Sequence, residues 1–333
     1  MGKVTIKDVA KEAGVSIATV SNALNGVDVL NPDTKKRVMD AVEKLQYVPN
    51  LTGRYLKAKE SKMIGFFTNN ISGPYFSTLT DMMCKQCENR GYGMSIFVTR
   101  DTNKIMANIL GKMIDGAIIY EDVAIREEEV ARLENADVGV VFLDRELERK
   151  RIASVVFDSY RDGFEATRHL INLGNKKIAF IECADEVLDS AQRKSGYKAA
   201  LQEYQLEYDE SLILRGYFAE EESFQAVSRF IRTRGDNLPD AFLAGNDVSA
   251  IGCVKALNVA GYGVPEDFSV MGFDDIDIAR YFSPPLTTVN TATAKQGSLA
   301  VDTLLDMLAD KEEGSIKRIG GELVIRESCK VKK

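Results

Sequence analysis

A chain of 333 residues is about twice the usual single-domain length, so it has room for two or three units with sizeable cores. Hydrophobic residues at 45% and charged residues at 28% exclude a mostly disordered, collagen-like or coiled-coil polypeptide. Residues 1–62 carry eleven lysines and arginines against seven carboxylates, a net +4, so the whole-chain charge of −7 leaves −11 for the remainder, and a basic head on an acidic body suggests a polyanion partner for the head.

The head reads as three short helices. Thr5 caps Ile6 to Ala13, where Ile6, Val9, Ala10 and Ala13 recur at helical spacing. Gly14 and Val15 interrupt, and Ser16 caps a second helix to about Leu24, with Val20 and Leu24 inward and Ala18, Thr19 and Asn22 outward. On the same helical wheel Ile17 falls near the buried edge. A third helix runs from Pro32 to about Leu45, capped by Asn31, and its Val38, Ala41, Val42 and Leu45 cover the first two. The result is a helix-turn-helix module, whose hydroxyls and amides at Thr5, Ser16, Thr19, Ser21 and Asn25 are the expected phosphate contacts.

The segment VTIKDVAKEAGVSIATVSNALNG, followed by QYVPN, closely resembles the head of the lactose-repressor (LacI/GalR) family of bacterial transcription regulators. The resemblance extends over essentially the whole chain. It implies that the start of the second helix enters the major groove, with Ile17 and Ala18 near thymine methyls and Asn22 bonding adenine. It also implies a hinge helix in LTGRYLKAKE, where Arg54 meets DNA and Leu56 is the apolar wedge driven between base steps. Two departures are visible: Asn22 stands where many relatives have Arg, and Gly53 where they usually have Ala.

From residue 63 short apolar runs alternate with amphipathic stretches. Met63 to Thr68, Met94 to Val98, Ala117 to Tyr120 and Val138 to Leu143 read as buried parallel strands, and Ile178 to Ile181, Leu212 to Leu214, Ala241 to Ala244 and Ser269 to Phe273 as a second series. Two such sets make an α/β body of two lobes with ligand beyond the strand carboxyl ends. The resemblance adds a periplasmic-binding-protein-like body in which the chain crosses between lobes three times, the helix Ala294 to Leu308 returning to the first. The expected divisions are therefore a helix-turn-helix domain at 1–48, a hinge at 49–62 and an effector-binding domain at 63–333. Within the last, one lobe spans about 63–158 plus 289–320 and the other about 159–288 plus 321–333.

Polar and aromatic residues after strand ends supply the pocket. Tyr75 and Phe76 in NNISGPYF offer an aromatic wall, with core packing expected to keep one of them. The resemblance points to Arg193 in SAQRKSGYKAAL, Asn246 in AGNDVSAIG and Asp274 in MGFDDIDIARYF as groups converging on the effector. It places the aromatic Phe218 against the ligand, makes Asp158 a weaker rim candidate, and leaves Asp247 as a structural helix N-cap. Asp and Asn each bridge neighbouring hydroxyls and Arg donates in a rigid fork, a set suited to a sugar or sugar derivative, although a purine, an amino acid or a phosphorylated metabolite would suit an arginine between aromatic walls as well.

Other signals point nowhere. Cys84 and Cys87 form a CxxC without a second pair, five scattered cysteines make no disulfide framework, and His169 has no catalytic companion. No GxGxxG or GxxxxGK[ST] occurs, and Gly263 and Gly272 read as turns. No metal or cofactor is expected. Lacking an apolar run of about 18 residues or a secretory segment, the chain is expected in the cytoplasm without a membrane partner. The expectation is a homodimeric repressor of operator DNA under effector control. Its rivals are a solute-binding protein for sugar uptake, which would lack the basic head, and a sugar-acting enzyme built on the adjacent Asp274 and Asp275, which as sequence neighbours rarely flank one bond.

Overall fold

The computed structural model describes residues 4–24, 30–48, 60–120, 125–184, 187–235 and 237–332. Two compact units divide the chain, residues 1–61 and 62–333.

The first unit holds α1 (Ile6–Ala13), α2 (Ile17–Leu24) and α3 (Pro32–Lys44). Each start is fixed by a short polar side chain. The Thr5 amide and hydroxyl both donate to Asp8 Oδ2, at 2.8 and 2.7 Å. Ser16 Oγ accepts the Thr19 amide at 3.1 Å, and Asn31 Oδ1 accepts the Asp33 amide at 2.9 Å. Gly14, at φ +64°, ends α1 in the left-handed conformation that turns the chain directly into α2. The core is small: Val9, Ala10, Ala13, Val20, Ala23, Val38 and Ala41 are buried, while Leu24 is only partly covered. Ala23 is buried beside Val20, and Leu24 packs against the edge of the same core.

The second unit contains two six-stranded sheets. The first comprises β1 (Met63–Thr68), β2 (Gly93–Val98), β3 (Gly116–Ile119), β4 (Gly139–Phe142), β5 (Ile152–Phe157) and β11 (Ile316–Ile319), all parallel in the order β11-β5-β4-β3-β1-β2. The second comprises β6 (Ile178–Glu182), β7 (Ile213–Arg215), β8 (Ala241–Ala244), β9 (Ser269–Phe273), β10 (Thr287–Asn290) and β12 (Glu322–Val324), ordered β12-β10-β9-β8-β6-β7 and parallel except where β12 closes the edge. Helices cover both faces, so β3, β4 and β5 are buried along their whole length.

Three crossings join the lobes. The chain leaves the first sheet after Phe157 into α7 (Ser159–Asn172), returns after Asn290 into α11 (Thr293–Leu308), and passes from β11 to β12 across Gly320 and Gly321. The second crossing lies slightly later than expected, since Val289 and Asn290 pair with Leu323 and Glu322 in the second sheet. Helix α11 packs on β3, β4 and β5 and on α4 (Pro74–Asn89), where Cys87 is a buried core residue whose thiol burial pushes up to about 12. Gly272 is not a turn: it lies within β9, where a Cβ would come 2.2 Å from Asp247 Oδ1.

The third crossing is tied down by a carboxylate. Asp162 in the first turn of α7 accepts the Gly321 amide through Oδ1 at 2.9 Å, while its buried Oδ2 has no partner. Burial pushes its pKa up to about 6, against the pull of the Gly321 amide and of Arg193. A proton held to higher pH in the folded than in the unfolded state stabilises fully below the unfolded value and is lost as pH rises towards 6. Asp162→Asn should therefore gain on the wild type between pH 4 and 6.5 by on the order of 2 kcal/mol, then run parallel above pH 7. Urea unfolding at pH 5 and 7.5 measures this, and equal differences at the two pH values would contradict it.

Candidate functional site

In the first unit Ile17, Ala18 and Asn22 lie exposed on one side of α2, with Thr19 and Ser21 half-buried beside them and Thr5 exposed at the start of α1. Ile17 departs from the helical wheel. It sits roughly 60° from Val20 and belongs by angle to the core edge, yet it is 44% exposed, because α1 and α3 close over Val20 and Ala23 and leave the first turn uncovered. An exposed isoleucine at a helix start beside hydroxyls and an amide is suited to a groove that presents methyl groups. Asn25, Arg54 and Leu56 lie outside the described residues.

In the second unit Arg193 is the centre of the site. It projects from α8 (Leu188–Glu203), and the course of α8 is set by backbone contact with α7: a Cβ on Gly163 would fall 2.3 Å from Arg193 O, and one on Gly196 would fall 2.1 Å from Tyr160 O. That close approach buries Arg193 to 3% exposure. Its guanidinium lies 4.6 Å over the Phe273 ring and 5.9 Å from the Phe218 ring. Nη1 donates to Gly245 O, Nη2 stands 3.5 Å from Asp274 Oδ1, and Nε is buried without a partner.

Asp274 and Phe218 reach this arginine from strained loops. Tyr217, Phe218, Asp274 and Asp275 all have positive φ, at +53°, +57°, +102° and +52°. Burial raises the Asp274 pKa, Arg193 lowers it and Asp189 raises it again. Asp275 is occupied elsewhere, held by Arg326 at 2.5 Å and by Asn290 Nδ2 at 3.1 Å. Asp274 and Asp275 therefore do not act as a pair.

Asp247 is structural as expected, but the helix cap expected of it falls to Asn246. Asn246, not Asp247, caps α10 (Asp247–Val259), its Oδ1 accepting the Ser249 amide at 2.8 Å and its Nδ2 donating to Phe218 O at 3.2 Å. Asp247 is fully buried, accepts the Ile276 amide at 3.0 Å and the Thr288 hydroxyl at 2.6 Å, and so anchors the loop that carries Asp274. Asp158 caps α7 at the first crossing through the Arg161 amide, at 3.4 Å.

The first lobe contributes Tyr75, at the start of α4. Its hydroxyl donates to Gln296 Oε1 at 2.9 Å, and Gln296 in turn donates to the carbonyls of Leu143 and Val155. Core packing keeps Phe76, which is buried with its ring 5.0 Å from Tyr120. Tyr75 and Asp274 face a common recess of about 440 Å³ between the lobes, bordered also by Thr293 and Asn290. Burial raises the Tyr75 pKa well above its usual value, and the charges of Tyr120, Asp189, Asp144 and Asp274 add to this. Asp144, Asp189 and Gln296 were not among the expected residues. Among the described residues no helix is long and apolar enough to cross a membrane, and no cluster of three His, Cys, Asp or Glu could hold a metal ion.

Residues 5–50 match the profile of the lacI family of bacterial regulatory proteins, and residues 167–329 that of a periplasmic binding protein-like domain. The HTH-type transcriptional repressor PurR of Haemophilus influenzae is 33% identical over 336 residues, covering 98% of each chain. This chain belongs to the LacI family. Among solved structures, the lac repressor dimer bound to operator and the anti-inducer ONPF superposes with a TM-score of 0.85 at 25% identity, over 99% of this chain and 100% of that one. The complex of the transcriptional regulator CelR with cellobiose superposes at 0.74 and 26% identity, over 98% and 99%. The LacI-family chain is thus a DNA-binding transcriptional repressor and not an enzyme, its two α/β lobes and helix-turn-helix head being the family's architecture.

Two substitutions probe this repressor. Gly196→Ala drives a methyl into the backbone of α7, which should cost about 1–3 kcal/mol or more in urea unfolding and displace Arg193. Ile17→Ser removes an exposed side chain, so head stability should change by no more than about 0.5 kcal/mol, whereas operator affinity in a gel-shift titration should fall by about 1–3 kcal/mol. A large loss of stability in this variant would place Ile17 in the core instead.

Proposed function

We propose that this repressor acts in the cytoplasm as a homodimer whose grip on operator DNA is set by a sugar or sugar derivative bound between its lobes. The observation that carries the reading is Asp274, which lines the recess with Tyr75 of the other lobe and stands 3.5 Å from the Arg193 guanidinium seated against Phe273 and Phe218. A sugar ring offers an apolar face to an aromatic such as Tyr75 and hydroxyls that both donate to Asp274 and accept from Arg193. The cellobiose held by a relative that spans the whole chain supports the same ligand class.

The two heads take the half-sites of a pseudo-palindromic operator, and Leu56, in the segment outside the described residues, wedges between base steps at its centre. A ligand bound across both lobes prefers one lobe angle. Because the chain crosses three times, that preference is imposed on all three connections at once, and the difference in affinity between the two angles sets a coupling on the order of 1–3 kcal/mol.

A thermal-shift screen of sugars, nucleosides and amino acids on the full chain tests the ligand class, since a ligand at about 100 times its Kd adds about 2.7 kcal/mol. Asp274→Ala should weaken the effector identified in that screen by about 1.5–3 kcal/mol and abolish its influence on operator binding, while operator affinity without effector is kept. A variant that still responds normally would show that the effector binds elsewhere.

A further inference from the structure

Resting on the reading of the inter-lobe recess as the effector site, we infer that this site selects uncharged, hydroxyl-rich ligands and rejects their phosphorylated forms. Two requirements coexist there. The Nε–H of Arg193 is buried and unpartnered, and a ligand that closes the site must bring it an acceptor. The carboxylates of Asp274 and Asp189 lie close by: Asp274 Oδ1 is 3.5 Å from the same guanidinium, and Asp189 bears electrostatically on both Asp274 and Tyr75. Carboxylates accept and never donate, so the ligand must also supply donors.

A hydroxyl group meets both demands at once. A phosphate monoester near pH 7 adds between one and two negative charges beside Asp274, whose carboxylate already stands 3.5 Å from the Arg193 guanidinium and whose field Asp189 reinforces. Two other cations of this lobe are already paired. Lys194 is engaged by the buried Glu182 at 2.7 Å, and Arg326 by Asp275 at 2.5 Å. Arg193 itself is already shared between Gly245 O and Asp274.

The test uses the full chain at constant ionic strength in thermal-shift and calorimetric titrations. The probes are inorganic phosphate and matched pairs: glucose and glucose 6-phosphate, ribose and ribose 5-phosphate, adenosine and adenosine monophosphate. Inorganic phosphate should give the wild type no saturable protection, and no phosphorylated member should bind more tightly than its free partner. Asp274→Asn, which leaves the arginine without its carboxylate, should acquire phosphate binding at least about tenfold tighter than wild type. Asp189→Asn repeats the trial without disturbing the carboxylate beside Arg193, should Asp274→Asn fold poorly. Saturable phosphate binding by the wild type, or a phosphorylated sugar outcompeting the free one, overturns the charge selection while leaving a sugar as effector. Binding of adenosine with its monophosphate silent retires the sugar and leaves the charge selection standing.

Discussion

The proposed effector site depends on a guanidinium taken out of water. Removing Arg193 from solvent costs several kcal/mol, and that cost is offset only if its donors and charge are met with good geometry. The protein meets it in part: a carbonyl at Gly245, a carboxylate at Asp274, and the faces of two aromatic rings. Nε is left over. An arginine held this way is a rigid, partly satisfied fork, and the ligand that completes it gains charge-assisted hydrogen bonds without ordering a flexible side chain.

What holds the fork lies away from the recess. The α7–α8 contact through Gly163 and Gly196 sets the Arg193 backbone, Asp247 fixes the loop of Asp274 by bonding Ile276 and Thr288, and Asn246 tethers the carbonyl of Phe218. On the other lobe Gln296 plays the equivalent part for Tyr75, its amide joining the ends of β4 and β5 to the tyrosine hydroxyl. Each lobe therefore carries its half of the site on a rigid scaffold, and the freedom that remains belongs to the three crossings. Asp158 and Asp162 sit at two of those, capping α7 and holding the Gly321 amide. Ligand closure in such a frame is rotation of two preformed halves, the kind of change that differential affinity can drive.

Much of this was legible in the sequence, and the failures have causes. The three head helices declared themselves through capping residues and apolar spacing, both local signals. Strands such as Ala241–Ala244 and Ser269–Phe273 stood out as uninterrupted apolar runs. The short β10 and β12 did not, since Thr287–Asn290 and Glu322–Val324 contain polar residues and owe their strand character to neighbours far along the chain. Ile17 misled because a helical wheel knows angle and not how far a partner helix extends. The cap of α10 was placed on Asp247 rather than Asn246 because either side chain can cap, and only the approach of Thr288 and Ile276 commits Asp247 to the loop instead. Gln296 gave no signal, since its partners Tyr75, Leu143 and Val155 meet it only in the folded lobe.

The strained backbone is the least legible feature and the one that bears most on function. Tyr217, Phe218, Asp274 and Asp275 adopt positive φ without being glycine, at a cost of about 1–2 kcal/mol for each aromatic residue and less for an aspartate, whose short polar side chain tolerates that region. A loop under no other demand would relax or place glycine there. These two loops belong to different βα connections, follow β7 and β9, and converge on one guanidinium from two directions. In each case a buried group over-determines the strained conformation: Asn246 grips the Phe218 carbonyl, and Asp247 with Arg326 brackets the Asp274–Ile276 loop. Positive φ maintained at two sites by independent anchors is what the proposed site requires, an aromatic side chain and a carboxylate aimed at a ligand before it arrives.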